Sequence, residues 1–554
     1  MTNNLTDKWN TADQPWWKGA VIYQIYPRSF NECGEQGVGN LRGVAERMDY
    51  VAALGVDAVW LSPFFCSPML DMGYDVSDYC DVDPLFGSLE DFDELIEAAH
   101  TRGLKVLIDL VLSHSSDQHP WFRESRQDRT NPRADWYVWA DPKPDGSPPN
   151  NWLSLFGGSA WAWSSRRRQY FLHNFLPEQP DLNFHNPEVQ AAVLDVAAFW
   201  LDRGVDGFRL DTVNFYFHDS ELRDNPVARP DGQLRLAPDS NPYSFQEHVF
   251  DKSRPENDEF LRKFRRLIER YDGDRVLLGE LGEDSSRALE LLVDYTGDGT
   301  KLHMGYCFDL LYGELTAECF HEHIRRYDNC LRDTAWHCNV FSNHDVVRHI
   351  SRWKVPEVEH DQAAKLCAGL LLSLRGSACL YQGEELGLPE PKLSLDELTD
   401  PYGIRFWPDI PSRDGCRTPI PWNAGNEHAG FSRGRPWLPV KPEHRRKAVD
   451  VQERDENSVL GHYRRLIAWR KAHPLLKYGS IDTLDTGDGI LGIRRFDGKQ
   501  ALLLFFNPTN DTASVPLPSG WQCRSAQMPF DGVLSNGRLE LPPYGAYAGY
   551  LAAE

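Results

Sequence analysis

From about residue 20 to residue 382 the chain alternates short, almost unbroken apolar runs with longer segments of helical period, and it does so eight times. Few folds use such an alternation. An unbroken apolar run of this length reads as a strand buried on both faces, as in a parallel sheet covered by helices. The runs are VIYQIY (21–26), DAVWLS (57–62), KVLIDLVL (105–112), VDGFRLD (205–211), RVLLGE (275–280), HMGYCFD (303–309), HCNVFS (337–342) and SACLYQG (377–383). Start and stop signals mark the helices between them. In SLEDFDELIEAAHTRG, Ser88 can cap, Phe92, Leu95, Ile96 and Ala99 form one stripe, and Gly103 stops the helix. In NPEVQAAVLDVAAFWLDRG, Asn186 caps, Pro187 suits the first turn, Val189, Val193, Val196 and Trp200 keep the helical period, and Gly204 ends it. The pattern predicts a (β/α)₈ TIM barrel, with a doubly wound open sheet as the alternative that pattern alone leaves.

A chain of 554 residues has room for that barrel and appendages. Residues 115–183 are loop-like and aromatic-rich and interrupt the barrel after its third strand, so they read as an inserted domain B. Residues 384–456, rich in Pro, Arg and Gly, separate the eighth strand from its helix, DENSVLGHYRRLIAWRKAH, and read as an inserted subdomain. From about residue 477 short strands (ILGIRRF, ALLLFFN, AGYLAA) with Gly, Asn and Pro turns suit a C-terminal antiparallel β-sandwich. The expected division is therefore 1–114 with 184–476 for the barrel, 115–183 for domain B and 477–554 for the β-domain.

Charge narrows the function classes. With 59 basic and 82 acidic residues the formal charge is −23, the wrong sign for nucleic acid or an anionic membrane surface. The longest apolar stretches, such as Ala368–Leu374, are far shorter than the roughly 20 residues a membrane span needs. The first residues, MTNNLTDKWNTADQPWWKG, lack the apolar centre of a signal peptide, and the 11 cysteines include no CxxC pair. The expectation is a cytoplasmic protein without disulfides, a monomer or homodimer.

Barrel enzymes place their reactive groups where strands end, at the carboxyl face. Here the third strand leads through Asp109 to His114, the fourth ends Arg209-Leu210-Asp211, the fifth ends at Glu280, the seventh leads to Asn343-His344-Asp345, and the second leads to Asp71 and Tyr74. Taken singly, an Asp after a strand is a cap or turn residue. Converging carboxylates instead push one another's protonation apart and suit an ionised nucleophile beside a protonated acid, the pairing glycoside hydrolysis uses. No HExxH or P-loop pattern offers a competing chemistry.

At this point the chain resembles the α-glucosidase and oligo-1,6-glucosidase branch of the α-amylase family, glycoside hydrolase family 13. The resemblance rests on WWKGAVIYQIYPRSF (16–30), WLSPFFCSPMLDMGYDVSDY (60–79), DLVLSH (109–114), QPDLNF (179–184), GFRLD (207–211), GE (279–280), FSNHD (341–345) and RDGCRTPIPW (413–422), in that order along the chain. It implies Asp211 as nucleophile, Glu280 as acid/base and Asp345 as the third carboxylate, holding the sugar's secondary hydroxyls. Arg209 would keep Asp211 ionised, His114 and His344 would bond the glucose, and Tyr74 would stack under its ring. Asp71 with Arg417 would close the pocket, and Phe156 and Phe171 would wall the leaving-group side, or else be core aromatics. Thr212 follows the nucleophile where α-1,6-cleaving relatives typically carry Val, which implies α-1,4 preference.

Two departures bear on metals. The loop after the first strand, often DxNGDGxGD in relatives, here has Gly34, Gln36 and Asn40 at ligand positions, and Ser113 stands where many α-amylases carry a calcium-holding Asn. No cofactor is expected, with at most a weak calcium or magnesium ion at 32–40 through Glu32. The substrates expected are small α-glucosides such as maltose, cleaved at the non-reducing end with retention and with some transglucosylation. The alternatives are α-1,6-oligoglucosidase or sucrose hydrolase action and, more remotely, a non-catalytic binding protein on the same fold. The long polar segment 214–257 after the fourth strand, with aromatic or His residues at 215–218, 243, 245 and 248, is expected to act as a lid favouring short substrates.

Overall fold

A computed structural model describes residues 14–229, 234–331, 334–487, 489–517 and 523–551. Most of the amino-terminal segment read above, and the last residues of AGYLAA, lie outside the described residues. The eight apolar runs form eight strands: β1 (Val21–Ile25), β2 (Ala58–Leu61), β3 (Lys105–Leu110), β4 (Gly207–Leu210), β5 (Val276–Leu281), β6 (Met304–Cys307), β7 (Cys338–Val340) and β8 (Ser377–Tyr381). They make one parallel sheet in the order β6-β5-β4-β3-β2-β1-β8-β7. A parallel bridge from Gly305 to His337, the residue before β7, brings the two ends together. The sheet is thus a closed barrel, not the doubly wound alternative.

Seven of the strands are buried along their whole length, and β3 is partly exposed only at Lys105, so the runs are apolar without alternation. Close strand contact also dictates Gly207. Its φ is +154°, and a Cβ there would lie 2.1 Å from the Val276 carbonyl oxygen, so only glycine lets β4 enter beside β5.

Among the helices that follow the strands, one after each packs on the sheet: α1 (Met48–Leu54), α2 (Leu89–His100), α3 (Pro187–Asp202), α4 (Asn257–Ile268), α5 (Ser285–Gly297), α6 (Ala317–Leu331), α7 (His360–Ser373) and α8 (Val459–Ala472). Ser88 caps α2 in a capping box with Asp91, and Phe92, Leu95, Ile96 and Ala99 are its buried stripe. Asn186 caps α3 by accepting from the Glu188 N–H, with Pro187 in the first turn. None of the described helices is long and apolar enough to cross a membrane.

Between β3 and α3 a small antiparallel sheet (Trp139–Ala140, Gln169–Leu172, Trp161–Ser164) packs around Trp152 and Trp161. Beyond α8 come two antiparallel sheets, of five and three strands. Strand Ala501–Phe506 shows why its sequence is apolar throughout. Leu502, Leu504 and Phe506 join the barrel's core, while Leu503 and Phe505 meet Leu539 and Leu541 of the second sheet. Arg470 of α8 and Arg495 of the β-domain, both buried, donate to the carbonyls of Leu372, Ser373, Leu374, Gly376 and Leu476, which the end of α7 and the neighbouring turns leave free.

Candidate active site

The carboxyl ends of the strands surround a cavity of about 130 Å³. The period of two along β4 aims Arg209 and Asp211 inward together. Arg209, fully buried over the Trp60 ring, binds three carboxylates: Asp109 Oδ1 at 2.7 Å, Asp211 Oδ1 at 2.6 Å and Glu280 Oε2 at 2.6 Å. Register supplies the fourth partner. Tyr306 on β6 pairs with Glu280 on β5; its hydroxyl accepts from Arg209 at 2.9 Å and donates to Glu280 Oε1 at 2.9 Å. The Thr212 N–H reaches Glu280 Oε2 at 3.0 Å, and its hydroxyl reaches Asp211 Oδ2 at 3.2 Å.

Burial pushes Asp211 and Glu280 up, each to about 7, against the pull of Arg209. Three buried acids on one guanidinium carry more charge than it neutralises, so a proton is held among them near neutral pH. Asp345 behaves differently. Burial opposes its charge, but His344 first, then Arg413, Arg417 and Arg209, together outweigh burial and hold it well below the ordinary carboxylate range. Burial pushes His344, 3.1 Å from Asp345, down to about 3, so near neutral pH the positive charge beside Asp345 is that of the arginines.

Eight of the sequence-predicted residues line the cavity: Asp71, Tyr74, His114, Phe156, Asp211, Thr212, Glu280 and Asp345. Arg209, His344 and Arg417 stand behind this wall. His344 stacks on Tyr74 and its Nε2 meets the Tyr74 hydroxyl at 2.5 Å, so it supports the wall and is no part of the lining. Arg417, fully buried, holds the His344 carbonyl and Asp345 Oδ1. The expected partnership of Asp71 with Arg417 is therefore corrected: Arg413, in the same RDGCRTPIPW motif, lines the cavity and joins Asp71 at 2.7 Å, Asp345 at 3.2 Å and Asp400 at 2.7 Å. Phe171 is also corrected. It packs against Phe122 and Trp139 in the core of the inserted segment, and Phe175 takes the expected place at the cavity, beside Phe156.

The outer wall, which sequence reasoning largely missed, is apolar: Leu155, Phe175, Phe215, Leu236, Phe308, Tyr312 and Tyr402 join Phe156 there. In the 32–40 loop, the Glu32 carboxylate folds back to accept from the Gln36 and Gly37 N–H groups and the Ser432 hydroxyl, while Asn40 caps the helix that follows. Those contacts occupy three of the carboxylate's acceptor positions.

A closed (β/α)₈ barrel with acids converging at its carboxyl face is the architecture of a barrel glycosidase. Residues 24–479 match the family model for the α-amylase catalytic domain, and the chain belongs to the α-amylase family, glycoside hydrolase family 13, in its α-glucosidase and oligo-1,6-glucosidase branch. It is 53% identical over 552 residues to a probable α-glucosidase of Rhizobium meliloti (strain 1021), covering 99% of this chain and 100% of that protein. It is 35% identical over 539 residues to an oligo-1,6-glucosidase of Heyndrickxia coagulans, covering 91% and 94%. The crystal structure of an α-glucosyl transfer enzyme, XgtA, superposes with a TM-score of 0.93 at 52% identity, covering 97% and 100% of the two chains.

Proposed function

We propose that this chain is a retaining exo-α-glucosidase that removes α-glucose from the non-reducing end of short α-1,4-glucosides such as maltose. One observation carries the reading: Arg413 ties Asp71 to Asp345 across the cavity wall, close to Asp211 and Glu280. An arginine bridged between two carboxylates closes that end to a continuing chain while offering charged partners to a terminal sugar's hydroxyls. Cleavage then frees one residue at a time.

In this mechanism ionised Asp211 attacks the anomeric carbon on the face opposite the leaving oxygen while Glu280, carrying the proton, gives it to that oxygen. The result is a covalent β-glucosyl-enzyme. Glu280 then deprotonates water, which attacks the same carbon, breaks its bond to Asp211 to free that carboxylate, and restores the α configuration. That the two carboxylates share Arg209 and Thr212 supports the close spacing of a retaining pair over the wider, water-filled gap of an inverting one. A sugar hydroxyl in place of water gives transglucosylation. The apolar outer wall offers water few partners, and the relative XgtA is named as a transfer enzyme.

Linkage preference is assigned to Thr212. Its hydroxyl is engaged by Asp211 and Ser113, so its polarity acts through the nucleophile's carboxylate and not on the leaving group directly. Product analysis with maltose, isomaltose, sucrose and maltotriose at matched concentrations tests the proposal. Maltose should be turned over fastest, and faster turnover of isomaltose than maltose would overturn the α-1,4 assignment. An unchanged preference in Thr212→Val would remove Thr212 as its cause.

A further inference from the structure

Along the cavity wall a file of side chains joins His114 to Asp211 through Ser113, which lies behind the lining. The Ser113 hydroxyl lies 2.9 Å from His114 Nδ1 and 3.2 Å from Thr212 Oγ1, and Thr212 Oγ1 lies 3.2 Å from Asp211 Oδ2. Ser113 is buried, and among the described residues its hydroxyl is within hydrogen-bond distance of no other side chain. At the far end the Gln179 amide oxygen accepts from the Leu176 N–H at 3.0 Å, which turns its NH₂ toward Asp71 Oδ2 and His114 Nε2, each at 3.1 Å.

The geometry points to a hydroxyl relay, Gln179–His114–Ser113–Thr212–Asp211, in which Ser113 is a positioning residue for the nucleophile. It rests on Asp211 being that nucleophile. The direction of each bond follows from the end groups. Ionised Asp211 can only accept, so the Thr212 O–H donates to it, and the Thr212 oxygen is then free to accept from Ser113. The Ser113 oxygen in turn accepts from the His114 Nδ1–H. With its proton on Nδ1, His114 presents a lone pair at Nε2 to the Gln179 N–H. The opposite tautomer would gain one contact, from Nε2–H to the Tyr74 carbonyl 3.0 Å away, but lose two: it would set two N–H groups against each other at Gln179 and turn the Ser113 O–H away from Thr212. Each donor in the relay thus points at the carboxylate that must stay ionised, and at its end Gln179 also holds Asp71, on the wall where the glucose would lie.

Ser113→Ala tests the inference. The relay predicts a fall of about tenfold in kcat with KM changed less than twofold, the scale expected for a hydrogen bond that acts on a charged group. The acid limb of kcat/KM should move to higher pH, because Asp211 loses support for its charge. Ser113→Thr, which keeps the hydroxyl, should restore most of the rate. Thr212→Val should cost a similar factor, and the double variant should be no worse than Thr212→Val alone, since both cut one file. Thr212→Ser should retain activity, and it serves if either apolar variant misfolds. Additive losses, an unmoved acid limb, or wild-type kcat in Ser113→Ala would overturn the relay. Asp211→Ala, measured alongside, separates the two readings. If it retains activity within tenfold the nucleophile is misassigned; if it is inactive while Ser113→Ala behaves as wild type, only the relay falls.

Discussion

Thr212 has φ +37° and ψ +51°, a left-handed conformation that costs a β-branched residue about 1–3 kcal/mol. The tight turn puts its N–H on Glu280 and its hydroxyl on Asp211, so the residue after the nucleophile touches both reacting acids. The two acids have separable roles, and their variants should differ in more than rate. Asp211→Ala and Glu280→Gln should each lose about a thousandfold or more in kcat with unchanged circular dichroism, as expected of residues acting as a unit. With an activated aryl α-glucoside and azide, Asp211→Ala should yield β-glucosyl azide, because azide takes the vacated nucleophile's face. Activity within tenfold of wild type in either variant would sink the assignment. The acids themselves were legible in the sequence, because each ends a barrel strand. The choice between Arg413 and Arg417 was not. Both lie in one loop motif, four residues apart, and only the loop's path, fixed by buried Asp400 gripping Arg413, decides which arginine reaches the cavity.

Two loops carry the predictions that belong to elements. The described part of segment 214–257, expected to act as a lid, lines the cavity and also packs on the inserted segment. Phe215 and Leu236 line the cavity, while Asn150 and Trp152 donate to the carbonyls of Leu222 and Arg223, and Asn241 donates to that of Leu155. Catalytic efficiency should therefore fall from maltose to maltotriose and again for longer chains, and Leu236→Ala should flatten the series. Equal efficiency on maltose and maltohexaose would remove the lid. In the 32–40 loop, Glu32 already accepts three hydrogen bonds, so a chelator should leave activity and melting temperature unchanged. A drop of several degrees, reversed by calcium or magnesium, would show that the loop binds a cation after all. Elements were more legible than their ends. KVLIDLVL reads as a strand to residue 112, yet β3 stops at Leu110, because Val111 and Leu112 are buried without belonging to the ladder. Apolarity reports burial, not pairing, and so the outer wall, built of aromatics from loops far apart in sequence, gave no periodic signal.

Across the whole molecule, buried titratable groups set opposing slopes of stability against pH. Burial holds His114, His119, His173, His218, His323, His337, His344, His444 and His462 neutral, down to about 3 or 4. Between those values and the unfolded value near 6.5 the unfolded chain binds more protons, so stability rises with pH. Carboxyls act with the opposite sign. Burial raises Asp75 and Asp109 to about 6, Asp211, Glu280 and Glu390 to about 7, and Asp181 and Glu384 to about 8. From about pH 4 up to those values the folded chain binds more protons, and stability falls as pH rises. Below about pH 6 the histidines outnumber the carboxyls and the net slope is upward. Above about pH 7 the histidines are neutral in both states, only the carboxyl slope remains, and it runs down to about pH 8. Thermal melts from pH 4.5 to 9 should therefore peak near about pH 6.5, with a steeper acid side. Glu384→Gln should lessen the alkaline decline, since an uncharged amide has no proton to lose. A melting temperature that climbs steadily to pH 9 would mean that these carboxyls are not held protonated by burial.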